Sequence, residues 1–415
     1  MKDHVMRLAV GSSARGWRVA IACPRDVYPQ DSDSSRYLLE AGVKLIPLSL
    51  PGRISPHGDL MAWAGLIRIL GRLRPRLVHT HGFKASMVGR MAAATFGVSS
   101  GYRPVTICTV HNSIAGQFGS GSRAWNLAKL VEKVLARSTD GVIAVSRALE
   151  REYLELSHPS AMLVTCIPNG IALERFISVP PGGGGGVRLP SDVEPPGDAG
   201  PPGDVEPPGN AKPPGDLGSP GVLKPGRGPV VGTVARLIPQ KGVDVLLRAF
   251  PLVREAFPGA ELVVAGDGPM RSQLQALAGH LGIGARVAFT GHRNDIPALL
   301  RTFDVFVLAS LSEGMPVSVI EAMASRVPVV ATCTGGIPEV VEDGVSGLLV
   351  APSDPGQLAR ALIWILSHRD EASRLAQNAF EKVTSRFSID RMVEDTCLFY
   401  QEVFRRKAKQ AACES

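Results

Sequence analysis

Short apolar runs alternate with longer segments of helical periodicity along most of this chain, and the alternation breaks once, in a stretch dominated by proline and glycine. Before the break the strand candidates are WRVAIAC, VKLIPLS, RLVHTHG, VTICTVH, GVIAVS and MLVTCIPN. After it they are VVGTVARL, ELVVAGDG, RVAFTGH, VFVLAS, VPVVAT and GLLVAP. β-rich runs separated by helix-length segments predict doubly wound α/β units, whose ligands bind beyond the carboxyl ends of the strands. The final periodic segment, 387–407, sets Met392, Val393, Thr396, Phe399, Tyr400 and Val403 at spacings of three and four, which predicts a helix with one buried face.

The break runs from Pro180 to Pro229 and repeats the triplet PPG. Such a composition cannot build a core, and Glu206 and Lys212 interrupt the G-x-y phase that a collagen helix needs, so a flexible, partly polyproline spacer is expected. The chain of 415 residues is too long for one ordinary core. It divides into an N-terminal Rossmann-like unit at 1–179, the spacer at 180–229, a second Rossmann-like unit at 230–386, and a C-terminal helix at 387–415 expected to pack back on the first unit.

Composition narrows the class. Apolar residues form 45% of the chain and charged residues 20%, which suits globular domains. The net charge of +7 favours phosphate-bearing ligands in general, but the Lys and Arg residues are scattered apart from Arg405, Arg406 and Lys407. No continuous stripe for nucleic acid is present. No secretory leader and no run of about 18 apolar residues stand out, so any membrane contact is expected to be peripheral, on the inner face. Six cysteines without a C-x-x-C pair, several inside strand-like runs, fit a reducing cytoplasm.

The chemistry concentrates in the second unit. In VVGTVARLIPQKGVDVLL a strand ends in Arg236 and a loop delivers Lys241 to the start of a helix, placing two cations where a diphosphate would be attracted. In VFVLASLSEGMPVSVIEAMAS a strand ends at Ser310, Glu313, Gly314 and Met315 follow, Pro316 is placed to begin a helix, and Glu321 lies about two turns into it. Two carboxylates in a phosphate site suit hydrogen bonds from sugar and ribose hydroxyls.

In order along the chain, Arg236 and Lys241, the GDGP of Gly266–Pro269, Glu313 and Glu321 with seven residues between them, and GGIPE resemble family 4 of the retaining glycosyltransferases, of the GT-B fold. The resemblance implies two Rossmann-like domains facing across a cleft. It also implies transfer of a sugar from a nucleoside diphosphate sugar to a hydroxyl of a glycan or lipid-linked glycan, with retained configuration and without a metal or bound cofactor. Arg236 and Lys241 would neutralise the donor diphosphate, Glu313 would hold sugar hydroxyls, Glu321 would hold the ribose, and Gly314 would let the backbone approach. The loop of His292, Arg293 and Asp295 would border the base. A non-catalytic nucleotide-sugar-binding protein and a sugar-nucleotide epimerase are the alternatives.

In the first unit, VTICTVHN puts His111 just beyond a strand, and the resemblance implies that it touches the donor sugar from the acceptor side. His79 with His81, and Asp31 with Asp33, imitate metal-binding pairs, but the histidines have no third ligand suggested nearby and the aspartates lie in a Pro- and Ser-rich loop that suits solvated turn residues, so no metal is expected at either. HVMRLAVGSSARGWRVAIACP resembles the family's first helix and second strand. The family's first strand and glycine-rich loop are missing before it, which would open the first sheet near its centre and places the expected start upstream.

Overall fold

The computed structural model describes every residue except 1, 30–31, 52–54, 115–118, 120, 158–161, 178–227 and 415. The expected spacer, apart from its last two positions, and Asp31 of the Asp31/Asp33 pair lie outside the described residues.

The first half runs α1 (Lys2–Ala14), β1 (Ala20–Cys23), α2 (Asp33–Glu40), β2 (Lys44–Pro47), α3 (Pro56–Leu73), β3 (Leu77–His81), α4 (Phe83–Ser100), β4 (Val105–Val110), α5 (Arg123–Ala136), β5 (Gly141–Ala144), α6 (Arg147–Ser157), β6 (Leu163–Cys166) and α7 (Glu174–Ile177). Strands β3-β4-β5-β6 form one parallel sheet, while β1 and β2 pair only with each other. The first half therefore carries two separate sheets rather than one. Helix α1 spans the two cores: Leu8 packs with Ile107 and Ile143 of the larger sheet, Ala9 with Ile21 and Leu38 of the smaller.

The second half runs β7 (Val230–Val234), a 3-10 turn (Pro239–Lys241), α8 (Val243–Ala256), β8 (Glu261–Ala265), α9 (Arg271–His280), β9 (Val287–Gly291), α10 (Ile296–Leu300), β10 (Val305–Leu308), α11 (Val317–Ala324), β11 (Val329–Thr332), α12 (Ile337–Val340), β12 (Leu348–Val350), α13 (Pro355–Ser367) and α14 (Arg369–Arg386). Its parallel sheet has the order β12-β11-β10-β7-β8-β9, so the winding direction reverses between β7 and β10. Side chains of α8 and α13 cover one face, and those of α10 and α11 cover the other. A sheet buried on both faces explains why its strands read as continuous apolar runs without alternation. Leu262, Val263 and Val264 are all fully buried.

The last helix, α15, runs from Ile389 to Glu414, within the C-terminal segment 387–415 expected to be helical and past the apolar periodicity that ends near Lys407. Met392, Val393, Phe399, Tyr400 and Val403 are buried with Leu8, Val105, Ile107 and Ile143 of the first half. Beneath α4 and α5, Arg90 forms a bidentate pair with Glu132 at 2.6 and 2.5 Å, and the Tyr153 hydroxyl donates to the same carboxylate at 2.6 Å. All three side chains are buried, so this is an enclosed and internally satisfied charge pair.

Candidate functional site

The reversal between β7 and β10 is where an open α/β sheet forms its ligand crevice. Both strands end there in the residues singled out from sequence. β7 stops at Val234, Arg236 lies exposed two residues beyond it, and the 3-10 turn brings Lys241 beside the loop that follows β10. Gly242 makes the turn possible: its φ is +58°, and a Cβ would lie 2.1 Å from the carbonyl oxygen of Ala309.

Lys241 Nζ donates to Glu313 Oε2 at 2.5 Å, and Ser310 Oγ donates to the same oxygen at 3.0 Å. Lys241 is thus ion-paired in this structure rather than isolated, a feature that spacing did not reveal. Lysine has three donors, so two stay available to a ligand. Glu313 Oε1 makes no hydrogen bond among the described residues, which leaves one carboxylate oxygen to accept from a hydroxyl. Arg236 makes no side-chain hydrogen bond or ion pair among the described residues.

Pro316 is the residue before α11 rather than its first member, so Glu321 is the fifth helical residue, little more than one turn in rather than about two. Burial raises the Glu321 carboxyl to about 7, with Arg175 lowering it and Asp3 raising it further. Met315 is buried in the core with Val319 and Leu149, so its side chain serves packing. Gly266 follows β8 at a φ of +128°, where a Cβ would stand 1.9 Å from the carbonyl oxygen of Ala235. His292 is exposed, and Arg293 pairs with Asp295, Nε to Oδ1 at 2.7 Å, which holds the aspartate below the usual carboxylate range.

The two halves meet at this site. A Cβ on Gly314 would lie 2.0 Å from the carbonyl oxygen of His111, so only glycine lets the loop after β10 touch the loop after β4. Glu339, from the GGIPE segment, accepts from the backbone N–H groups of Arg147 and Ala148 at 2.8 Å each, so a carboxylate of the second half caps a helix of the first. A cavity between the halves is lined by Asp3, His4, Arg7, His111, Arg175 and Glu321, among others. His111 therefore shares a cavity with Glu321, whereas Arg236, Lys241 and Glu313 are absent from its wall. His4, Arg7 and Arg175 were missed in the sequence; Arg175 lies shortly after the end of β6, and that position was its only signal.

His81 Nδ1 lies 3.3 Å from His111 Nε2, and His79 is bonded to the Tyr400 hydroxyl at 2.6 Å and to Thr109 Oγ1 at 2.7 Å. The rings of His79 and His81 stay 4.1 Å apart, but their hydrogen bonds diverge: His79 braces α15 and His81 turns to His111. Burial holds His111 and His81 well below the ordinary histidine range, with neighbouring histidines adding to the effect, and takes His4 down to about 4.

Residues 1–170 match the model of the glycosyl transferase 4-like domain, and residues 219–382 match that of glycosyl transferases group 1. The chain is 28% identical to glycogen synthase of Mycobacterium tuberculosis over 96% of this chain and 89% of that protein. It is 29% identical to D-inositol 3-phosphate glycosyltransferase of Salinispora tropica over 85% of this chain and 69% of that one. HepE of Anabaena, solved in complex with UDP and glucose, superposes with a TM-score of 0.68 at 19% identity, covering 95% of each chain. With two parallel-sheet units meeting at a cleft, and both domain models matched in order, the chain belongs to the family 4 glycosyltransferases of the GT-B fold and is an enzyme of glycosyl transfer.

Proposed function

We propose that this glycosyltransferase moves a sugar from a nucleoside diphosphate sugar to a hydroxyl of a glycan or lipid-linked glycan, retaining the anomeric configuration and needing no metal. The observation that carries the reading is the cluster at the β7/β10 reversal: exposed Arg236, and Lys241 held by a Glu313 that keeps one oxygen uncommitted. Two fixed cations beside a helix start can stabilise the charge that develops on a departing diphosphate. Glu313 Oε1 accepts from a sugar hydroxyl, and Glu321 accepts from the ribose. The acceptor oxygen forms its bond to the anomeric carbon on the face from which the diphosphate oxygen departs. That oxygen takes the acceptor proton, so His111 orients the sugar and serves as no general base. The loop of His292, Arg293 and Asp295 borders the base.

We read the enzyme as cytoplasmic, with peripheral membrane contact through α5. Its outer face sets exposed Leu127, Leu130 and Val134 among Arg123 and Lys133, with Arg137 next after the helix, and its one acid, Glu132, is buried against Arg90. An apolar stripe with a purely basic border suits an anionic lipid surface. Among the described residues no helix is long and apolar enough to cross a membrane.

The donor assignment is tested by thermal shift against a panel of nucleotide sugars, repeated with Arg236→Ala and Glu321→Ala. At least one donor is expected to raise the Tm of the intact protein, with the rise lost in both variants. Equal shifts in the variants, or none with any donor, would refute the site.

A further inference from the structure

Three histidines from separate elements converge at the cleft: His4 in α1, His81 at the end of β3 and His111 beyond β4. One ring nitrogen from each lies within 4.8 Å of the other two. Zinc–imidazole bonds of about 2.0–2.1 Å in a tetrahedral site put ligand nitrogens roughly 3.3–3.4 Å apart. The His81 Nδ1 to His111 Nε2 separation of 3.3 Å already has that length. His4 completes the triangle with a ring movement of about 1.5 Å or less, the difference between such a spacing and the largest present one. His4 Nδ1 and Asn169 Oδ1 are both buried in the wall of this cavity, and Asn169 is the side chain that His4 faces there, without a fully formed hydrogen bond between them. A buried imidazole nitrogen without a full hydrogen bond costs about 1–3 kcal/mol, a cost that metal ligation would relieve.

We propose that His4, His81 and His111 form a binding site for a transition-metal dication, Zn2+ above all, that shuts the cleft to the donor. Three imidazoles without a carboxylate select zinc-like ions over Mg2+ and Ca2+, which take oxygen ligands. Three protein ligands leave a fourth position open, and the cavity beside it is lined by Arg7, Arg175 and Glu321. The ion is an inhibitor here and no part of the transfer chemistry, because a metal-bound His111 cannot orient the donor sugar. That inhibitory consequence rests on the role proposed for His111, whereas ion binding does not.

Cobalt(II) titration of the full chain tests the binding directly. The expected result is one Co2+ per chain with the intense visible bands of a tetrahedral site and no thiolate charge-transfer band. Zn2+ displaces it, and the bands vanish in His81→Asn and His4→Gln. Bands that persist in folded variants, a thiolate signature, or no bands at all would overturn the site. If the variants fail to fold, zinc-edge X-ray absorption of the zinc-loaded wild type decides: three imidazole shells support the site, and sulfur or oxygen-only scattering refutes it. In a transfer assay, zinc is expected to inhibit wild type at least tenfold more strongly than His81→Asn. Binding without inhibition would leave the metal site standing and count against the role given to His111.

Discussion

At the scale of single residues, the carboxylates decide how the site responds to pH. The Glu321 carboxyl is raised by burial to about 7, above its unfolded value of 4.5. Its neutral form therefore favours the fold in acid, and that contribution is lost as pH rises through about 7. Ribose hydroxyls bond the carboxylate more strongly than its protonated form, so donor affinity is expected to weaken as pH falls from about 8 to about 6. A nucleotide sugar, with no secondary phosphate ionisation, read by calorimetry makes the check clean; Glu321→Gln should flatten the profile, and an unchanged slope in that variant would contradict the assignment. The placing of Arg236, Lys241 and Glu313 beyond the ends of β7 and β10 was legible in the sequence, because the loops at strand ends carry the polar residues of such sheets. The Lys241–Glu313 pair and the convergence of His4 on His81 and His111 were not, because both depend on contacts between segments far apart in the chain.

At the scale of elements, every strand named from the sequence is present, since each is a short apolar run bounded by turns. Helix limits were less legible. Pro316 fits a first helical position as well as a cap, and α15 continues past its apolar stripe on helix-forming Lys, Gln and Ala residues. The GGIPE segment acts through an element as well: Glu339 caps α6 across the halves. Glu339→Ala is expected to cost about 1 kcal/mol, the usual worth of a cap, read as a lower denaturation midpoint with the slope unchanged. On α5, Leu130→Asp together with Lys133→Glu should abolish co-sedimentation with vesicles containing anionic lipid and leave the Tm within about 2 °C of wild type, as for exposed positions. Equal co-sedimentation of wild type with zwitterionic vesicles would argue against the charge contribution.

At the scale of the molecule, the split of the first half into two sheets makes α1 and α15 the members that tie it together. The enclosed Arg90–Glu132 pair anchors α4 to α5. Glu132→Gln should lower unfolding free energy by about 3–5 kcal/mol, because it strands a buried guanidinium, and a loss below about 1 kcal/mol would show the pair to be solvated. The two-domain plan was readable from the break at proline and glycine. The closeness of the halves was not, because it turns on Gly314, whose missing side chain admits His111, and one glycine in a loop carries no address for its neighbour. The central claim is transfer with retention at a cleft whose cations replace a metal. The most direct measurement supplies the donor found by thermal shift, methanol as a minimal acceptor and a chelator, and reads the methyl glycoside by proton NMR. The expected product has the anomeric configuration of the donor, with release of the nucleoside diphosphate; an inverted glycoside, or activity abolished by the chelator and restored by a divalent metal, would contradict the account.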